Sequence, residues 1–170
     1  MKRIFLVSGV ALWITGSAVV AQVPPPDWRS TAEITLSEPE TNLLRVVVRT
    51  KTRRVYVYEG KVIVASYAIA VGKAGWETPP GTYQVFSKEV NPVFKNFKTG
   101  KVIQPGPNNP LGVRWIGFWT DGKTQLGFHG TNEPELIGQA VSHGCIRMRN
   151  KDVTALFEKV AIGTPVIVEP

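Results

Sequence analysis

The chain has 170 residues, room for one domain with a substantial core plus a tail. Its 43% apolar and 19% charged residues exclude a disordered polyelectrolyte. The formal charge of +7 falls to +5 if Lys2 and Arg3 leave with a leader; the basic residues look scattered and no nucleic-acid-binding motif accompanies them, so a nucleic-acid partner is not expected, while an anionic polymer is compatible with the surplus.

Residues 1–21 read as an export leader, with Lys2 and Arg3 as its charged start, a mostly apolar run over 4–14, and Val19, Val20 and Ala21 before a cut ahead of Gln22. Ser8, Gly9, Thr15 and Gly16 break the run and weigh against the alternative of a retained membrane anchor. Residues 22–42 form a polar tether stiffened by Pro24, Pro25 and Pro26, with Trp28 available to dock.

From residue 43 to 170 the pattern is that of a folded domain. The valine-rich run 44–50 and the period-two alternation of Val55 and Val57 with Tyr56 and Tyr58 over 54–59 predict strands. Glu59, Gly60 and Lys61 form a turn, and 62–71 pairs back as a hairpin. Gly72, Gly75, Pro79, Pro80 and Gly81 keep 72–81 irregular, and 82–88 resumes as a strand with Tyr83 entering the core. Residues 91–110, where Lys95, Lys98 and Lys101 interleave with Phe94 and Phe97, read equally as a binding element or lid and as a loop pinned by two phenylalanines. The aromatic run 111–120, a turn at Asp121, Gly122 and Lys123, and a strand over 124–128 follow, and that strand delivers His129 at its end. Asn132 is expected to cap a short helix running toward Ala140, and Asn150 a second over 151–160 that buries Val153, Leu156, Phe157 and Val160. Gly163 ends that helix and 165–169 is a closing strand. The fold class is therefore mainly β with two short helices, a β-rich α+β domain.

Both histidines and the single cysteine lie between His129 and Cys145. A thiol attacks a carbonyl as its thiolate, and a nearby imidazole can take the proton and return it to a leaving amine. Cys145 is the candidate nucleophile. Ser142, His143 and Gly144 make a small polar turn before it, and the amides of Gly144 and Cys145 are placed to meet an oxyanion. In an extended segment His143 and Cys145 share a face, whereas folding must bring in His129. Two other readings of the cluster stay open: a buried, inert thiol, and a zinc site on His129, His143 and Cys145, against which the lack of a carboxylate or second thiolate weighs. Arg147 can hold a substrate carboxylate bidentately or tie down its loop.

Phe128-His129-Gly130-Thr131-Asn132 with Ser142-His143-Gly144-Cys145-Ile146-Arg147-Met148 resembles the signature of the L,D-transpeptidase catalytic domain, the YkuD domain. Thr78-Pro79-Pro80-Gly81-Thr82-Tyr83 and Gly106-Pro107-Asn108-Asn109-Pro110-Leu111-Gly112 extend the resemblance over about residues 44–169. It implies a mixed β-sandwich and acyl transfer from the third residue of a peptidoglycan tetrapeptide stem, via a thioester, to an amine, cross-linking the cell wall and supporting cell shape. Cys145 then falls in the nucleophile's place, His129 in the base's, and His143 in an assisting one; Gly144, Ser142, Arg147 and Gly130 form the oxyanion and substrate-binding group. The partners implied are donor and acceptor stem peptides, with no cofactor, no metal, and no stable membrane association once the leader is removed, for a monomer exported to the periplasm or cell envelope. The alternatives are an L,D-carboxypeptidase that uses water as acceptor and a non-enzymatic wall-binding module.

Overall fold

Strands begin where valines alternate with polar residues, because period-two burial lets one face of the chain enter a core while the other meets solvent. The computed structural model describes residues 43–96 and 99–170; the leader, the tether, Trp28, Phe97 and Lys98 lie outside the described residues. The domain opens with β1 (Leu44–Arg49), β2 (Arg54–Glu59) and β3 (Val62–Ala68), a meander in which Val46, Val48, Val55 and Val57 are fully buried. Short β4 (Val71–Gly72), β5 (Gly81–Gln84), β6 (Ser87–Val90), β7 (Phe94–Lys95) and β8 (Val102–Ile103) follow. Then come β9 (Arg114–Thr120), β10 (Gln125–His129), a 3-10 turn (Pro134–Leu136), β11 (Ala140–Ser142), β12 (Ile146–Arg147), α1 (Asn150–Lys159) and β13 (Pro165–Glu169).

Two sheets form the sandwich. One runs β3-β2-β1-β13-β5 and the other β12-β10-β9-β6. Val166 and Val168 join the β1 and β2 valines, and Ile116, Phe118, Leu126 and Phe128 supply the facing layer, with Val153 and Leu156 of α1 closing the same core. Fully burying each such side chain contributes about 1.5–3 kcal/mol, so this one cluster accounts for the larger part of the apolar driving force.

Three expectations need correction. The strand predicted over 82–88 is two strands in different sheets: the Val85 amide donates to the Thr164 carbonyl at 2.9 Å and the Phe86 amide to Gly117 at 2.9 Å, so the chain changes layers between them. The helix predicted after Asn132 is only the 3-10 turn, with no side-chain cap; the Gly138 amide goes to the Ile69 carbonyl and Gln139 accepts from Val71, so pairing with β4 takes the hydrogen bonds a helix would use. One α-helix therefore stands where two were expected. It begins at Asn150 with Arg149 in the capping position, and the Asn150 side chain is employed elsewhere.

Among the described residues of 91–113, one buried side chain ties several separate turns together. Asn109 is 1% exposed; its amide nitrogen donates to the carbonyls of Pro92, Ile103 and Gln104, and its oxygen accepts from the Leu111 amide at 2.8 Å. That gives a physical reason for asparagine within Gly106-Pro107-Asn108-Asn109-Pro110-Leu111-Gly112: one buried, satisfied amide joins the 92, 103–104 and 111 backbones.

Candidate active site

The site is assembled by the parallel pairing of β10 with β12, where Phe128 faces Ile146 and His129 faces Arg147. Phe128 and Ile146 are fully buried in the core, so by alternation His129 and Arg147 project from the other face of the sheet. One more step of the same register sets Cys145 beside Gly127. The sulfur lies 3.9 Å from the Gln125 carbonyl, in a half-buried position.

His129 is itself buried. Its Nδ1 lies 2.6 Å from the Gly130 carbonyl, which can only accept, so Nδ1 carries the proton and Nε2 keeps the lone pair. Trp115, opposite His129 on β9, packs its ring near-parallel to the imidazole at 6.2 Å. This needs Gly127: a β-carbon there would meet the Ile116 carbonyl at 2.5 Å and the Trp115 ring at 2.9 Å.

The loop that carries Cys145 is laced down from both sides. Ser142 Oγ donates to the Cys145 carbonyl at 2.6 Å and accepts from the Gly144 amide at 3.2 Å. Buried Thr78 donates through Oγ1 to the Gly144 carbonyl at 2.8 Å, and Ala70 and Arg147 exchange a pair of backbone hydrogen bonds at 2.9 Å. Gly144 adopts φ +105°, a conformation open to glycine and rarely to other residues. The bend breaks the extended geometry that put His143 on one face with Cys145: His143 is exposed and packs its ring edge-on against Trp76, centroids 4.9 Å apart. Of the two amides expected to meet an oxyanion, that of Gly144 donates to Ser142 Oγ in the absence of substrate. Gly130 contributes its carbonyl to His129, and its own amide donates to Arg114.

The charge of Arg147 acts on both His129 and Cys145. Its guanidinium donates to Glu133 Oε2 at 3.0 Å. Burial, foremost, holds the His129 imidazole down at a pKa of about 4; the Gly130 hydrogen bond opposes this and the Arg147 charge adds to it. Burial pushes the Cys145 thiol up, against the pull of a hydrogen bond from the Gly127 backbone and of Arg147. The resting pair is thus a neutral thiol with a neutral imidazole, not the ionised sulfur that thiolate chemistry alone would suggest.

This arrangement has a consequence for stability. The unfolded chain takes up a proton at the ordinary histidine pKa of 6.5, the folded chain only near 4, so stability present above pH 6.5 is lost as the pH falls through that window. The loss amounts to roughly 3 kcal/mol. Melting temperatures between pH 7 and 4 should fall more steeply for the wild type than for His129→Gln, and identical slopes would contradict the buried neutral ring.

Several members carried no signal in the sequence. Trp115 joins through folding alone, Thr78 stood in the 78–83 motif without a role at the site, and Glu133 lies 14 residues from the arginine that it holds. Asn150, read as a helix cap, instead clamps the turn after His129: its Oδ1 accepts from the Thr131 amide and its Nδ2 donates to the Thr131 carbonyl, both at 3.1 Å. A cavity of about 400 Å³ lies behind that turn, lined by Gly106, Asn109, Thr131 and Asn150, and another of about 350 Å³ by Lys51, Arg53, Glu77 and Thr78. Neither is lined by His129 or Cys145. Among the described residues no three His, Cys, Asp or Glu side chains converge to hold a metal ion.

The profile of the YkuD L,D-transpeptidase catalytic domain matches residues 44–168. The chain belongs to the L,D-transpeptidase catalytic-domain family. It is 41% identical over 127 residues to the Bacillus subtilis protein YqjB, covering 72% of this chain and 69% of that one. In three dimensions it is similar to the catalytic domain of an Enterococcus faecium L,D-transpeptidase, with a TM-score of 0.59 and 26% identity over 74% of this chain and 96% of that one. It also shares its fold with the L,D-transpeptidase LdtMt1, solved in complex with imipenem, at a TM-score of 0.61 and 20% identity, covering 74% of this chain and 58% of that one. The chain is an L,D-transpeptidase, an enzyme of peptidoglycan cross-linking.

Proposed function

We propose that Cys145 is the nucleophile and His129 the general base of a two-step acyl transfer on peptidoglycan stem peptides. As the sulfur attacks the carbonyl of the third stem residue, His129 Nε2 takes the thiol proton and the Cys145 amide receives the oxyanion. Collapse breaks the C–N bond, the proton passes to the departing D-amino acid, and a thioester remains. An amine of a second stem peptide then attacks; His129 takes its proton, the C–S bond breaks, and the sulfur is reprotonated. The observation that carries this reading is the fixed tautomer of His129, since the Gly130 carbonyl leaves only Nε2 to act as base beside the strand that Cys145 leads into.

A neutral pair, the imidazole buried and the thiol half-buried, suits the chemistry because charge appears only when substrate is present. Ser142 and Gly144 shape the loop, Gly130 orients the imidazole, and His143 with Trp76 forms an exposed wall suited to substrate contact. Arg147 meets the substrate's carboxylate by exchanging it for Glu133. The enzyme acts after export, as a monomer in the periplasm or cell envelope, and its acyl transfer needs no cofactor. Incubation with imipenem followed by peptide mapping tests the nucleophile: a single acylated residue, Cys145, is expected, and modification elsewhere would contradict it.

Glu133 makes a separate check. In Glu133→Gln the Arg147 charge is no longer neutralised, the thiol's pKa falls, and iodoacetamide should modify Cys145 about two- to tenfold faster at pH 8. An unchanged rate would show that Arg147 does not act on the sulfur.

A further inference from the structure

Basic residues that look dispersed along the chain meet on one surface once it folds. Between Arg45 and Lys61 lie six Lys and Arg against one Glu, a net +5 of the chain's +7; the rest of the chain holds 14 basic and 12 acidic residues. Because Val46, Val48, Val55 and Val57 point inward, Arg45, Arg49, Arg54, Tyr56 and Tyr58 point outward from the five-stranded sheet. The register sets Arg45 beside Tyr58, Val47 beside Tyr56 and Arg49 beside Arg54. Lys51 lies in one turn and Lys61 in the other, both exposed, while Arg53 of the first turn donates to the Gly138 carbonyl at 2.8 Å.

These arginines are held flat. The Arg45 guanidinium lies 4.4 Å from the Tyr58 ring centroid and donates to the Gly60 carbonyl. That of Arg49 lies 5.2 Å from the Tyr56 ring and pairs with Glu169 at 3.2 Å. Arg54 rests on Ser66 Oγ through Nε and Nη2, at 3.1 and 2.8 Å. A guanidinium has five N–H donors, so each keeps donors to offer, and stacking removes side-chain freedom that binding would otherwise cost. A surface charged only for solubility intersperses both signs. Here, with Glu169 paired to Arg49, basic groups still predominate on rigid strands, on the sheet that does not carry His129 and Cys145.

We propose that the outer face of β1 and β2 docks an anionic cell-envelope polymer, one whose phosphate or carboxylate groups recur along a strand, and so holds the enzyme on the matrix that carries its peptides. The occupant follows from charge complementarity with a linear row of fixed guanidinium groups. The wall location rests on the proposed function, but docking requires no turnover, so the two can fail separately.

The test is binding of the full chain carrying Cys145→Ala to long-chain inorganic polyphosphate across a salt series, with uncharged dextran as blank. Salt-sensitive binding is expected, weakened about tenfold or more in Arg45→Gln/Arg49→Gln/Arg54→Gln. It should change less than about threefold in Lys123→Gln/Lys151→Gln/Lys159→Gln, which removes the same charge elsewhere. The lysine version of the arginine triple should fall between these, as it keeps charge and loses stacking. In the wild-type background the arginine triple should cross-link soluble muropeptides at the normal rate. If it fails to fold, as judged by melting, Lys51→Gln/Lys61→Gln takes its place with the same expected direction. Equal loss in the two glutamine triples, or no loss in either, overturns the proposal. So does a result in which phosphatidylglycerol vesicles, and not polyphosphate, bind and lose binding with the arginine triple, since the face would then serve a membrane.

Discussion

His129→Gln should lower the rate of acyl transfer by about 10² to 10⁴, the range that a positioned general base supplies. Glutamine approximates the ring's size and can donate to the Gly130 carbonyl as Nδ1 does at 2.6 Å, so the fold is preserved while the lone pair of Nε2 is lost. The acid limb of the wild-type profile should lie near pH 4, where the buried imidazole finally takes a proton, well below the region in which an exposed histidine would switch off catalysis. His143→Gln provides the comparison. Exposed and packed against Trp76, His143 should matter less than His129, and a larger loss there would move the base to the other ring. Stopped-flow acylation over pH 3 to 10 reads both outcomes.

Cys145→Ala should abolish acylation and turnover while leaving the domain folded. The side chain is half-buried at the edge of the core, so removing one sulfur should move the melting temperature by only about 2–8 °C. Substrate should still bind, because the loop that presents the residue is fixed by groups other than the sulfur: Ser142 Oγ on the Cys145 carbonyl, Thr78 on the Gly144 carbonyl, and the Ala70–Arg147 pair. Binding of a tetrapeptide muropeptide by calorimetry, with no product over hours, is the expected pattern. Measurable cross-linking by this variant would remove Cys145 from the mechanism.

Much of this was legible in the sequence because the chemistry is local there. One cysteine and two histidines within 17 residues define the site's composition, and valine alternation marks β1 and β2 because burial on one face of a sheet imposes period two. Less legible was whatever depended on distant backbone partners. Asn132 heads a plausible helix, yet the chain after it is claimed by β4, and nothing in residues 132–140 announces that competitor. The layer change between Val85 and Phe86 is equally silent, since either residue would suit a continuous strand. Asn150 stands where a cap is expected, yet it is the first residue of α1, and a bidentate clamp on Thr131 uses both ends of its amide. The segment from His143 to Cys145 is bent and not extended because Gly144 turns the chain at φ +105°, a choice that glycine permits without declaring. Arginines at 45, 49 and 54 look scattered until antiparallel pairing gathers them on one face.

The account depends on a covalent bond between the substrate acyl group and one sulfur, formed with the aid of a neutral imidazole. Intact-protein mass spectrometry after rapid mixing with a purified tetrapeptide muropeptide observes that bond directly. The prediction is a mass increase equal to the muropeptide less its terminal D-amino acid, mapped to Cys145, decaying as an amine acceptor is added and slow to appear in His129→Gln. Cross-linked product forming with no such adduct, or with the acyl group on another residue, would contradict it.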